Sequence, residues 1–108
     1  MRQTQITFNI GLDEENVPFS IDWDATDSGT ERKPAKAIML SMWDPEEKGA
    51  LRIDLWTKEM SVGEMNHFFY QTLMTFADTY ERATNNKEIS VAMKEFAIGM
   101  GRKTEVIK

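Results

Sequence analysis

At Thr57 the spacing of apolar side chains changes from two residues to about 3.6, and that switch divides the chain into a strand-forming and a helix-forming part. Upstream, Ile6, Phe8 and Ile10 alternate with Thr7 and Asn9. Val17, Phe19, Ile21 and Trp23 then alternate with Ser20, Asp22 and Asp24. Gly11 and the Asp13-Glu14-Glu15-Asn16 cluster separate the two runs, so they read as one hairpin. Residues 24–34 read as a polar loop. A third strand is expected over about 36–43. It is followed by an Asp44-Pro45-Glu46-Glu47-Lys48-Gly49 turn and a fourth strand in which Leu51, Ile53 and Leu55 alternate with Arg52, Asp54 and Trp56.

Downstream, Ser61-Val62-Gly63-Glu64 has the form of a capping box, in which serine and glutamate each satisfy the other's backbone amide. Met65, Phe69, Thr72, Leu73, Phe76 and Tyr80 share one helical face. Asn85-Asn86 ends that helix, and Ser90 has the chemistry of a second N-cap. Met93, Phe96, Ala97 and Met100 line one face of the last helix. Gly99 and Gly101 weaken its end by roughly 1 kcal/mol each relative to alanine, so the tail after Arg102 is expected to be loose or to order on a partner. The expected fold is α+β and a single domain over residues 1–108. It has a four-stranded antiparallel meander sheet of two hairpins, one long helix across a sheet face, and a shorter C-terminal helix.

Composition narrows the function. The net charge is −5 and no cluster of Lys and Arg is present, which disfavours nucleic acid and anionic membrane surfaces. The absence of cysteine excludes disulfides, thiolate metal sites and thiol catalysis, and fits a reducing compartment. No stretch approaches the ~20 apolar residues of a membrane helix, and the first residues lack the apolar core of a signal peptide. A cytoplasmic location is expected.

Residues that could carry chemistry are sparse. His67 is the lone histidine and falls on the polar side of the long helix, so a transition-metal site is not expected. No nucleophile elbow and no glycine-rich phosphate loop occurs. The richest acidic segment is Asp22-Trp23-Asp24-Ala25-Thr26-Asp27-Ser28-Gly29. Counted as a calcium loop from Asp22, it puts Asp27 where glycine is needed and Lys33 where the bidentate glutamate is needed. It reads instead as an Asx-rich turn whose carboxylates bond local amides. No catalytic, cofactor or metal residue is expected.

Apolar residues are left over once the core is assigned. If Ile38, Leu40, Met42, Leu51, Ile53 and Leu55 face the core, Met39, Trp43 and Trp56 fall together on the opposite face, beside Arg52 and Asp54. Tyr70 and Met74 likewise project away from the main apolar face of the long helix. Two explanations stay open. The short helix folds back over the sheet residues, or they meet a partner, either a second copy in a homodimer or a different protein. Aromatic side chains on a sheet followed by a helix also resemble the single-strand nucleic-acid modules of the PUR-repeat and Whirly type, although the basic groove of those modules is missing.

Several segments carry a family resemblance. They are Thr4-Gln5-Ile6-Thr7-Phe8-Asn9-Ile10-Gly11-Leu12-Asp13, the acidic segment over residues 21–29, and Leu51-Arg52-Ile53-Asp54-Leu55-Trp56-Thr57-Lys58. Glu64-Met65, Phe68-Phe69, Gln71-Thr72-Leu73 and Glu81-Arg82-Ala83-Thr84 join them. Together they make residues 4–100 resemble the GldC family of gliding-motility proteins. The resemblance implies a soluble accessory component of the Bacteroidota gliding apparatus, a machinery tied to surface-adhesin movement and a dedicated secretion system. Its partner would be another protein of that machinery. It brings no functional residues to these positions.

Overall fold

The computed structural model describes residues 1–27 and 29–108, with Thr30 through its backbone only. Ser28 of the acidic segment lies outside the described residues. The chain divides into two compact units, Met1–Met60 and Ser61–Lys108, at the end of the strand-forming part.

The first unit is all β. Its strands are β1 (Ile6–Leu12), β2 (Pro18–Ala25), β3 (Thr30–Ala35), β4 (Ala37–Asp44) and β5 (Gly49–Trp56). The expected single four-stranded meander is not what forms. There are two antiparallel sheets, one of order β1-β2-β3 and one of β4-β5. The reason is β3, which occupies the stretch read as a loop. It takes the free edge of β2, pairing Ile21 with Ala35 and Trp23 with Lys33, so β4 has no β2 edge to join. Its sequence, Thr-Glu-Arg-Lys-Pro-Ala, has no apolar alternation. It is held by polar contacts instead. The Arg32 amide donates to the Asp24 carboxylate. The Arg32 guanidinium reaches Asp22 at 3.3 Å. Arg32 is left-handed (φ 47°), and the register shifts beside it, between Trp23 and Ala25. Pro34 is admissible because an edge strand has one side without ladder bonds.

The first hairpin has the expected alternation. Ile10 pairs with Ile21 and Phe8 with Trp23, putting the apolar residues of both strands on one face. Ile21, on the central strand, is the buried residue of this face at 3% exposure. In the turn, Asp13 accepts from the amides of Glu15 (2.8 Å) and Val17 (3.0 Å), and Asn16 takes the left-handed conformation (φ 63°). The second hairpin runs in register from Ala37↔Trp56 to Asp44↔Gly49. Asp44 accepts from the Glu46 amide at 3.0 Å, forming an Asx turn where the sequence predicts a turn.

The second unit is a helical hairpin of α1 (Val62–Thr84) and α2 (Lys87–Lys103). The capping box is formed. Ser61 Oγ accepts from the Glu64 amide and Glu64 Oε1 from the Ser61 amide, both at 3.0 Å. Asn85, left-handed at φ 58°, closes α1 through Glu81 O. Three sequence expectations change here. The N-cap of α2 is Asn86, whose side chain accepts from the Ile89 amide at 3.1 Å; Ser90 lies one turn inside the helix. At 17 residues against 23, α2 is similar in length to α1 and not a short appendage. The tail is ordered. Glu105 turns left-handed (φ 63°), Val106 N–H donates to Gly101 O at 2.8 Å, and Ile107 packs back on Gly101.

A row of small residues forms the seam between the helices. Ala77, Ser90, Ala97 and Gly101 are all buried. Ser90 Oγ–H donates to Ala77 O at 2.9 Å, and the Tyr70 ring lies against Gly101. At the rim, Lys94 Nζ bonds Asp78 at 2.8 Å, which raises the pKa of the lysine.

Candidate functional site

The β4–β5 register decides which leftover apolar residues share a surface. Met39, Ser41 and Trp43 lie on one face with Arg52, Asp54 and Trp56. Trp43 sits opposite Ala50 near the turn, and Trp56 opposite Ala37 at the base. They are therefore six residues apart along the hairpin, roughly 20 Å at about 3.3 Å per residue. Both are largely exposed, at 68% and 55%. Met39 is exposed and faces Asp54; Arg52 and Ser41 fill the middle of the row. The expected face exists, but as two aromatic ends around a polar centre.

The opposite face is more continuously apolar. It is built from the pairs Ile38–Leu55, Leu40–Ile53 and Met42–Leu51. Met42, Leu51 and Ile53 are nevertheless exposed. Alternation assigned these residues to the core, so they were missed as surface. The signal was the hairpin's apolar character on both faces.

Tyr70 and Met74 are half-buried on α1. The Tyr70 ring is engaged inside the second unit, against Gly101. The large apolar residues that this unit exposes are others: Val62, Phe69 and Phe76 on α1, and Ile89, Val91 and Phe96 on α2. Phe76 and Phe96 each precede a buried alanine, Ala77 or Ala97, by one residue. In antiparallel helices an equal rotation off the seam turns both rows to the same side. Phe76 and Phe96 thus lie on the same side of the seam.

The acidic residues are taken up by protein donors, Arg32 serving both Asp22 and Asp24. Asp22 accepts from Asn9 Nδ2 at 2.8 Å and from Arg32, and these bonds, Asn9 first, lower its pKa. Asp24 takes the Arg32 amide and Asp27 pairs with Arg2. Asp13 accepts from Lys58 Nζ at 2.6 Å, which with the Val17 and Glu15 amides lowers its pKa to about 2. Among the described residues no group of three or more His, Asp or Glu could hold a metal ion. A polar depression lined by Gln3, Thr4, Gln5, Thr26 and Asp27 holds a single carboxylate, already paired with Arg2. His67 is exposed on α1. Among the described residues, no helix is long and apolar enough to cross a membrane.

Neither a curated protein nor a solved structure matches this chain. Residues 18–106 match the family described as gliding motility-associated protein GldC-like. That span runs from β2 to the tail behind α2, across both units and most of the sequence, so the chain belongs to the GldC-like family of gliding motility-associated proteins.

Proposed function

We propose that this GldC-like protein is a non-enzymatic accessory component of the gliding machinery, located in the cytoplasm and acting through protein–protein contacts. The observation that carries the reading is the β4–β5 hairpin, with large apolar side chains exposed on both faces. Fully burying such a side chain contributes about 1.5–3 kcal/mol, most of which Trp43 and Trp56 forgo as they stand. Tryptophan at the centre of a contact is among the strongest contributors to binding. Met39, between them, completes the candidate surface on that face. Tyr70 and Met74 contribute less to this reading than Phe69, Phe76 and Phe96, because the latter are exposed.

The single-strand nucleic-acid reading has no comparable support. Stacking platforms work within a basic groove, whereas the row between the two tryptophans carries Arg52 and Asp54, whose charges offset one another. The test is cross-linking and affinity capture from a gliding bacterium, comparing wild type with the Trp43→Ala/Trp56→Ala variant. The variant should lose partners that wild type retains. Recovery of the same partners in the same amounts would remove this hairpin as the interface.

A further inference from the structure

We infer that the outer edge of β1 is a self-association site, at which a second copy of the chain adds its own β1 antiparallel to the first. This goes beyond the proposed function and uses none of the hairpin tryptophans. β1 is an edge strand, bonded to β2 on one side only. The phase of its ladder follows from the Thr26 N–H, which donates to Gln5 O at 3.1 Å. Bonded and non-bonded pairs alternate in an antiparallel ladder. Thr7↔Asp24 and Asn9↔Asp22 are therefore the bonded pairs, and Ile6↔Ala25, Phe8↔Trp23 and Ile10↔Ile21 are not. The N–H and C=O groups of Ile6, Phe8 and Ile10 thus point off the free edge.

Charge and pattern select the occupant. A chain of net charge −5 carries a net repulsion towards its own copy. Residues 3–12 contain no ionisable side chain, so this edge escapes that repulsion. Other edges are guarded in the manner that limits strand addition. β3 carries Glu31, Arg32, Lys33 and Pro34, and β5 carries Arg52 and Asp54. β4 is uncharged until Asp44 but does not alternate, whereas Ile6-Thr7-Phe8-Asn9-Ile10 both lacks charge and alternates, repeating its polarity in both directions about Phe8. With a two-fold axis at Phe8, Phe8 meets Phe8, Ile6 meets Ile10, and Thr7 meets Asn9. The three outward-pointing residues become the bonded pairs, and the apolar faces of two sheets join. Ile6 (64% exposed) and Phe8 gain cover in that arrangement. The contact ends where the bulge between Gly11 and Leu12 breaks the strand.

Sedimentation equilibrium and amide hydrogen exchange, from low to high micromolar concentration, test this. A dimer should form as concentration rises, and protection should then appear at the Ile6, Phe8 and Ile10 amides. Thr7 and Asn9 should be protected at every concentration. Phe8→Pro removes an outward N–H without touching a β1–β2 bond and should weaken association at least tenfold, that is by about 1.4 kcal/mol. Phe8→Ala, which keeps the N–H, should weaken it less, and Trp43→Ala/Trp56→Ala should not weaken it. A chain monomeric throughout, or a dimer whose protection appears on β4 or the helices, would overturn the inference. So would a folded Phe8→Pro variant that still dimerises. Should that variant fail to fold, the exchange pattern of wild type decides.

Discussion

Asp13 joins three backbone and side-chain donors at the tip of the first hairpin. Its carboxylate takes the Glu15 and Val17 amides and the Lys58 ammonium, linking the β1–β2 turn to the residues just after β5. Its pKa falls from 3.8 to about 2. A folded-state value below the ordinary one means the native state favours the ion. The stabilisation is complete above about pH 4 and is lost as the pH falls towards 2. Asp13→Asn should therefore be less stable than wild type at neutral pH and nearly equal to it near pH 2. Urea titrations at a series of pH values check this. The Asp13-Glu14-Glu15-Asn16 sequence suggests the turn, but the lysine partner is 45 positions away in sequence (58 − 13) and only the fold brings it there. The same holds for Arg32, whose left-handed backbone and ties to Asp22 and Asp24 turn an apparent loop into β3.

At the scale of elements, regular periodicity was readable and tertiary roles were not. The strands with alternating apolar residues, the capping box and the two helices follow from local pattern. β3 does not, because an edge strand held by polar contacts needs no apolar period. The division into two sheets follows from that one strand. Ser90 and Gly101 show a similar limit. Local chemistry suggests a cap and a weak point, whereas both are buried in the seam, where small size permits close approach. A Cβ at Gly101 would lie 2.8 Å from the Tyr70 ring, but one at Gly99 meets nothing within 4 Å. Gly101→Ala should therefore lose stability. Overpacking costs about 1–3 kcal/mol and outweighs the roughly 1 kcal/mol gained from helix propensity. Gly99→Ala should gain up to about 1 kcal/mol. Denaturant unfolding followed by far-UV circular dichroism separates the two; equal shifts of one sign would refute the seam assignment.

For the molecule as a whole, both units carry large apolar side chains at their surfaces and few residues equipped for chemistry. The sheet unit exposes Trp43, Trp56, Met42 and Leu51; the helical unit exposes Phe69, Phe76 and Phe96. Membership in the GldC-like family associates the chain with gliding motility. The sequence located Trp43 and Trp56 on one hairpin face, but their separation and the exposure of the other face depend on register and packing. Substitutions at exposed positions usually change stability by no more than about 0.5 kcal/mol, so function lost there reports a lost contact and not a lost fold. The most direct measurement is complementation in a gliding bacterium deleted for its own family member. Wild type should restore gliding, while Trp43→Ala/Trp56→Ala, at equal abundance and with an unchanged circular dichroism spectrum, should not. Full gliding with the variant would contradict the claim that this hairpin is the working surface.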